Sequence, residues 1–319
     1  MTHAGLQMTD QCVTLIDVGL RDGFQSIGPL IPTATKIAIL RGLHACGIRR
    51  IEATAFVSEK AVPQLADAVE LLRAAQALPG MDPQVLVPNE RHAERALRAG
   101  ATHLSFVLSV SERHNQGNVR RTPRESAAEY RRIVAGLPSG IQIRLNVATA
   151  FDCPFDGAVA SAMTLALMDE LVDVAPQAEI CLCDTTGRVT PDRVSALFAA
   201  AKARFAHAPH WAFHGHDTYG QGTANVMAAW SAGVDRIDAS IGGLGGCPFA
   251  PGATGNVATE DVVWMFQHMG IQTGIDLEPM TDVARSAASL PGASWGGRVR
   301  DALTAQRSRL APARVPAGK

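Results

Sequence analysis

The sequence contains a His-x-His pair, His214 and His216, of the kind that can bind a metal ion. Side chains alternate across a β-strand, so two histidines two residues apart point to the same face, with Cα atoms roughly 6.5–7 Å apart. Two imidazoles in that position can converge on one cation, although two hydrogen-bonded core histidines give the same pattern. The pair therefore predicts a metal site if further ligands come from other parts of the chain.

Asp22 and Asn256 are the candidates to complete this ligand set. Two imidazole nitrogens with a carboxylate and an amide oxygen, leaving positions for substrate, suit a divalent ion such as Mg²⁺ or Mn²⁺. Zn²⁺ accepts the same ligands. The sequence thus predicts a divalent metal cofactor and leaves its identity open among these three ions.

Cys247 lies in a glycine-rich segment, GGLGGCPFAPGATGN, which spans residues 242–256. Glycine allows a loop to pass close to a ligand or to move over it, and a thiol beside a metal site can give or take a proton. A small buried cysteine is the structural alternative. In this segment, close to Asn256, we favour a catalytic cysteine.

Three further charged residues, Arg21, Glu52 and Asp184, are candidates for the same site. An arginine can hold an oxyanion or a carboxylate through two parallel hydrogen bonds. A structural salt bridge from Arg21 to Glu52 or to Asp184 is the alternative. The two carboxylates are expected to orient metal ligands, and one of them is a possible base.

These residues can meet only if the fold brings distant segments together, and the pattern of the chain predicts such a fold. Short β-rich runs alternate eight times with longer amphipathic stretches rich in alanine and leucine, which is typical of parallel βαβ units. The predicted strands are 13–19, 50–56, 84–88, 103–109, 141–148, 179–184, 211–216 and 236–241. The predicted helices lie near 34–46, 62–77, 90–99, 123–135, 159–174, 191–205, 221–232 and 258–269.

The first βα turn distinguishes a closed barrel from an open dinucleotide-binding sheet. Such a sheet usually has G-x-G-x-x-G at this turn, whereas this chain has GLRDGFQSIG. We therefore predict an α/β fold, a catalytic (β/α)₈ TIM barrel over residues 1–275. A C-terminal extension, 276–319, is expected to be partly helical, near 280–289 and 298–309, with a mobile tail. Catalytic groups of such barrels lie at the C-terminal ends of the strands, where the candidate residues fall.

Composition argues against several classes of function. The 29 Lys and Arg residues balance 30 Asp and Glu, giving a formal net charge of -1, so there is no global field for nucleic acid. No apolar run approaches the roughly 18–20 residues that cross a bilayer, and the N-terminal segment lacks a secretory signal. The six scattered cysteines do not predict a disulfide framework. We expect a cytoplasmic protein without a nucleic-acid or membrane partner.

A series of motifs, in order along the chain, resembles the 3-hydroxy-3-methylglutaryl-CoA lyase family, within the metal-dependent barrels of Claisen-type lyases and condensing enzymes. The likeness covers roughly residues 14–275. Its motifs are VGLRDGFQ (18–25), IEATAFVS (51–58), CDTTG (183–187), HGHDTYGQ (214–221), the glycine-rich segment (242–256) and ATED (258–261).

The resemblance implies a role for each candidate residue. The metal ligands would be Asp22, His214, His216 and Asn256. Arg21 would stabilise a thioester enolate, and Cys247 would exchange a proton at the acetyl carbon. Glu52, Asp184, Gln25 and Glu260 match further polar positions of the family, and either His214 or Asp184 would be the base.

The resemblance also implies an acyl-CoA thioester substrate and a metal-dependent retro-Claisen cleavage. Cleavage of 3-hydroxy-3-methylglutaryl-CoA would give acetyl-CoA and acetoacetate, and a close analogue such as citramalyl-CoA, or a longer-branched 3-hydroxyglutaryl-CoA, remains open. The alternative is a condensing enzyme that joins acetyl-CoA to a 2-ketoacid, but related synthases usually carry glutamate where this chain has Phe24. A non-catalytic barrel that binds a CoA ester or a partner protein is a further alternative. We expect a homo-oligomer, with a dimer as the specific prediction.

Overall fold

The core of the protein is a closed barrel of eight parallel strands, seen in a computed structural model that describes residues 11–246 and 255–310. The strands are β1 (Thr14–Asp17), β2 (Arg50–Ala55), β3 (Asp82–Val87), β4 (His103–Ser109), β5 (Gln142–Ala148), β6 (Glu179–Asp184), β7 (His210–Gly215) and β8 (Arg236–Ala239). Their order around the barrel follows the chain, and β8 pairs with β1 to close it. The predicted TIM barrel is therefore confirmed.

Helices surround the barrel, and at least one helix follows each strand. They are α1 (Thr33–Ala45), α2 (Ala68–Gln76), α3 (Glu90–Arg98), α4 (Glu112–Val119), α5 (Pro123–Ala135), α6 (Ser161–Asp169), α7 (Pro191–Arg204), α8 (Gly222–Ser231), α9 (Thr259–His268), α10 (Leu277–Ala288) and α11 (Val299–Leu310). A short antiparallel hairpin, Asp152–Cys153 with Gly157–Ala158, follows β5. No helix in the described ranges has the length and apolar character needed to cross a bilayer.

The local sequence explains why these segments form these elements. Strands of a parallel barrel are covered on both faces, by the barrel interior and by the helices, and every residue of β6 is accordingly buried. The α5 helix starts with a capping box between Thr122 and Glu125, with Pro123 at its first helical position. Its apolar side then buries Tyr130 and Ile133. Local propensity and packing thus favour the same helix.

The barrel interior contains a network of charges centred on Arg144, whose side chain is almost fully buried. Its guanidinium donates to Glu179 at 3.0 Å, to Asp238 at 2.6 Å and to Asn146 at 2.8 Å. Glu179 also accepts hydrogen bonds from Arg50 at 2.8 Å and from Arg236. Buried charges are tolerated when they are paired in this way, so the network fixes Asp238 inside the barrel.

Two helices follow the barrel, close to where the sequence predicts them. The α10 helix begins earlier than predicted, at Leu277, because the Asp276 side chain caps it by accepting from the Glu278 N–H. The α11 helix is tied to α10 by Arg307, whose guanidinium donates to the Glu278 carbonyl at 3.1 Å and to Thr281. Residues 311–319, the predicted tail, lie outside the described residues.

Candidate active site

A tight turn after β1 positions Arg21 and Asp22. Residues Gly19–Gly23 form a single π-helical turn in which the Asp22 and Gly23 N–H groups both donate to the Val18 carbonyl, at 2.8 and 3.2 Å. A Cβ added to Gly19 would lie only 2.8 Å from Asp17 Oδ1 and 2.9 Å from Ile241 Cγ2, so any larger residue there would displace these buried side chains. The predicted strand 13–19 therefore ends at Asp17, and the residues that follow turn into the site.

The two histidines project from the C-terminal end of β7, and their rings lie 5.1 Å apart and nearly perpendicular. His214 Nδ1 lies 3.0 Å from Asp238 Oδ2, and His216 Nδ1 lies 2.9 Å from the Asp184 carbonyl. Both partners are acceptors, so each Nδ1 carries a proton. In the neutral form of each ring the Nε2 lone pair is then available to a metal ion, as in carboxylate–histidine–metal arrangements.

Asp22 joins the two histidines in one buried cluster. The three residues each offer a ligand atom, and these atoms all lie within 4.8 Å of one another. His216 Nε2 is 3.8 Å from Asp22 Oδ2. The predicted convergence of the aspartate and both imidazoles is therefore present.

Asn256 lies against the same cluster and has an unsatisfied oxygen. Its amide Nδ2 donates to Asp22 Oδ2 at 2.7 Å and to the Leu244 carbonyl at 3.0 Å. Its Oδ1 is buried without a hydrogen-bond partner among residues 11–246 and 255–310. A buried acceptor of this kind is costly unless something satisfies it. This oxygen, the carboxylate and the two imidazoles together form a donor set that fits a divalent ion.

Arg21 forms the structural salt bridge that the sequence left as an alternative. Its Nε donates to Glu52, and its Nη1 donates to Asp22 Oδ1 at 2.5 Å. Gln25 donates to the same Asp22 oxygen at 2.9 Å. Glu52 therefore orients Arg21, and Gln25 orients Asp22. The guanidinium of Arg21 lies with a fixed orientation at the edge of the cluster of candidate metal ligands.

Asp184 contacts the site through its backbone and organises the loop after β6 through its side chain. Its Oδ1 accepts from the Gly187 N–H at 3.0 Å, and its Oδ2 is buried with no partner in the described part of the chain. Burial raises the pKa of Asp184 to about 7, and the backbone hydrogen bonds from Gly187 and Val189 oppose that rise. Such a group can change protonation state near neutral pH.

The two histidines differ in their electrostatic surroundings. Burial alone lowers the pKa of His214, but the hydrogen bond to Asp238 and the nearby Cys183, Asp238 and Asp22 raise it to about 9. Burial lowers the pKa of His216 to about 4, and repulsion from His214 adds to this effect. Burial would raise the pKa of Asp22, yet Arg21 and the imidazoles hold it at about 2. At neutral pH these pKa values make His214 a cation with both ring nitrogens protonated, His216 a neutral imidazole and Asp22 a carboxylate.

Sequence reasoning missed Asp238, which is paired in register with His214 on the adjacent strand β8. A charge in a buried strand, alternating with Ile237 and Ala239, was the signal that could have found it, because such a charge must point into the barrel interior. The predicted proton donor Cys247 lies outside the described residues.

Comparison with known proteins identifies the family of the chain. The HMGL-like family model matches residues 12–286. The chain belongs to the HMGL-like family. The HMGL-like match includes all eight strands and ends within α10, whereas α11 lies beyond it.

Members and neighbours of the HMGL-like family are similar to this chain over most of its length. Mitochondrial hydroxymethylglutaryl-CoA lyase of Arabidopsis thaliana is 40% identical to this chain over 266 residues. The match covers 83% of this chain but only 56% of the length of that relative. (R)-citramalyl-CoA lyase of Chloroflexus aurantiacus is 37% identical over 281 residues, 85% of this chain and 88% of that protein. A solved HMG-CoA lyase of Acinetobacter baumannii, in complex with coenzyme A and 3-methylmalate, is 34% identical with a TM-score of 0.85. That match covers 100% of this chain and 99% of the other.

Proposed function

We propose that this protein is a carbon–carbon lyase that cleaves a branched 3-hydroxyacyl-CoA thioester with the help of a divalent metal ion. The observation that carries the proposal is the buried cluster of Asp22, His214 and His216, completed by the unsatisfied oxygen of Asn256. Membership of the HMGL-like family and similarity to CoA-ester lyases support it.

Four side chains would hold the metal: Asp22, His214, His216 and Asn256. Bound there, a divalent ion would supply Lewis acidity toward the tertiary hydroxyl of the substrate. Mg²⁺ and Mn²⁺ suit the oxygen-containing ligand set, and Zn²⁺ remains the competing ion.

Asp184 is the better candidate for the base that removes the hydroxyl proton. Its Oδ2 has no partner among the described residues, and its pKa of about 7 matches that task. His214 has its Nδ1 engaged by Asp238, and its Nε2 lone pair would be directed at the ion. An imidazole used in both ways cannot accept another proton.

The cleavage step breaks the substrate's O–H and C2–C3 bonds and transfers two protons. The base takes the hydroxyl proton, a carbonyl forms at C3, and the C2–C3 bond breaks with its electron pair passing into the thioester enolate. Arg21, held by Glu52, is placed to stabilise the negative charge on the thioester oxygen. Cys247 is proposed to donate a proton to C2, which releases acetyl-CoA and a ketoacid.

Two substrates are candidates, and they differ by one methylene group in the acid portion. 3-Hydroxy-3-methylglutaryl-CoA would give acetyl-CoA and acetoacetate, while citramalyl-CoA would give acetyl-CoA and pyruvate. The similarity to an (R)-citramalyl-CoA lyase is the observation that keeps the second candidate open.

The direct test is to incubate the chelator-treated protein with each CoA ester and with Mg²⁺, Mn²⁺ or Zn²⁺, and to identify products by mass. We expect one ester to be cleaved only after metal is restored. Release of free CoA from acetyl-CoA with a 2-ketoacid, and no cleavage, would favour a condensing enzyme instead. Absence of any titratable metal would overturn the proposal. Cytoplasmic location and a homodimer stay predictions.

A further inference from the structure

The C-terminal helix α11 reaches back to the turn that follows β8 through one buried arginine. Arg300 is 3% exposed, and its Nη1 lies 3.0 Å from Glu260 Oε1. Glu260, in the first turn of α9, is fully buried. Because α11 lies beyond the segment that matches the family model, this ion pair joins that segment to a part of the chain outside it.

The ion pair holds both backbone groups of Gly242. The Gly242 N–H donates to Glu260 Oε2 at 3.0 Å, and the Gly242 carbonyl accepts from Arg300 Nη1 at 3.3 Å and from the Gly296 N–H at 3.1 Å. The same guanidinium nitrogen donates to the Gly296 carbonyl at 2.6 Å. Gly242 has a φ of 68°, which glycine adopts readily. Charged side chains therefore hold both backbone groups of this left-handed glycine.

That turn leads directly to the candidate metal ligands. Residues Ile241–Gly243 form a single 3-10 turn, and the next residue, Leu244, accepts hydrogen bonds from Asn256 through its carbonyl. The Asn256 amide in turn donates to Asp22. A continuous series of contacts therefore runs from Arg300 through Gly242 and Leu244 to the Asp22 carboxylate.

A second acidic residue fixes the start of α11 at the same place. Both Asp261 oxygens accept from the Arg298 N–H, at 3.0 and 2.9 Å, and Oδ1 accepts from the Val299 N–H at 2.8 Å. A carboxylate at a helix N-terminus satisfies free N–H groups and stabilises the helix dipole. Glu260 and Asp261, adjacent in sequence, thus both receive the C-terminal extension.

We infer that Arg300 is a positioning residue, which sets the affinity of the metal site by fixing the Gly242–Leu244 turn that supports Asn256. The inference rests on the proposed function, because it takes Asn256 as a metal ligand. Groups that orient metal ligands from outside the coordination sphere typically change metal affinity by about 10–100-fold when they are removed. Arg300 acts one contact further away, so we expect the lower end of that range.

The test compares Arg300→Met with Arg307→Met in the full-length protein. Both substitutions remove a guanidinium from α11, but Arg307 binds α10 and not the Gly242–Leu244 turn. We expect Arg300→Met to weaken Mn²⁺ binding by about tenfold in a calorimetric titration and to lower turnover in a way that excess metal restores. Arg307→Met should leave Mn²⁺ affinity unchanged, and Arg300→Lys should keep part of it.

A double variant separates positioning from the cost of an unpaired buried charge. Removing Arg300 alone leaves the buried Glu260 carboxylate without its positively charged partner, which destabilises the fold. In Arg300→Met with Glu260→Gln this charge is gone, so thermal stability should recover while Mn²⁺ binding stays weak. Recovery of Mn²⁺ affinity in the double variant would overturn the inference, as would equal loss in the Arg307 control. If the unmodified protein binds no Mn²⁺, the proposed function itself fails.

Discussion

The Nδ1 atom of His214 lies 3.0 Å from Asp238 Oδ2, and the same Asp238 oxygen accepts a hydrogen bond from Arg144 at 2.6 Å. The cluster of candidate metal ligands, Asp22, His214 and His216, is thereby connected to the charge network in the barrel interior. A carboxylate that accepts the Nδ1 proton fixes the orientation of the ring and increases the basicity of its other nitrogen. The barrel core therefore takes part in shaping the site.

This relationship predicts that Asp238→Asn weakens metal binding. Asparagine keeps an oxygen acceptor for His214 but removes the negative charge, so the imidazole becomes a poorer ligand. We expect metal affinity to fall by about 10–100-fold, measured by titration with Mn²⁺.

Asp82→Asn is the matched control for that experiment. Asp82 also pairs with a barrel histidine, with His103 Nδ1 at 3.1 Å from its carboxylate, but it lies at the opposite, N-terminal end of the strands. The Asp82→Asn variant should be less stable than the unmodified protein but should bind the metal with the same affinity. Equal weakening in both variants would mean that Asp238 acts only through general stability.

Metal affinity should increase with pH across the neutral range. Below its pKa of about 9, His214 carries a proton on both ring nitrogens, whereas the pKa values of about 4 and about 2 leave His216 neutral and Asp22 ionised. A metal ion must displace the His214 proton, so the observed affinity should rise by about tenfold per pH unit between about pH 6 and pH 8. Calorimetry in buffers of different ionisation enthalpy should detect one proton released per ion. A flat profile would contradict this assignment.

Much of the site could be predicted because its residues follow a local rule. Two histidines separated by one residue on a strand must face the same side, and the ends of parallel strands must lie at one rim. Predicted strand 211–216 corresponds to β7, His210–Gly215, and His214 and His216 converge as expected. The alternation of side chains along a strand and the order of the strands were enough to predict this convergence.

Other features depend on register and long-range packing, which no short segment of sequence reveals. Asp238 stands opposite His214 because β7 and β8 pair in that register. The π-helical turn at Gly19–Gly23 shortens the predicted first strand, and the close approach of Asp17 and Ile241 to Gly19 is set by tertiary packing. Arg300 forms an ion pair with Glu260 because α11 folds back onto α9. Each contact is decided by how elements pack, after they have formed.

Cys247→Ala should abolish turnover without affecting metal binding. The thiol is proposed to protonate the enolate carbon, and loss of a general acid typically lowers turnover by about 10²–10⁴-fold. The measurement is the rate of acetyl-CoA formation beside a Mn²⁺ titration. Cys153→Ala is a suitable control, because Cys153 is a buried thiol that donates to Ser111 Oγ at 3.0 Å. Near-normal turnover of Cys247→Ala would remove the proton-donor role.

Asp184→Asn should lower turnover and, at alkaline pH, stabilise the fold. As the proposed base, Asp184 should contribute about 10²–10⁴-fold to turnover, and activity of the unmodified protein should rise with pH through about 7.

The pKa of Asp184 is raised in the folded state from 3.8 to about 7, so the folded protein holds this proton more tightly than the unfolded chain does. The stability it contributes is therefore present below about pH 4 and is lost as pH rises toward 7. Thermal melts across this range should show a smaller decline in stability for Asp184→Asn than for the unmodified protein. Parallel melting curves, with the pH–activity profile unchanged, would show that Asp184 is neither the base nor a strained carboxyl group.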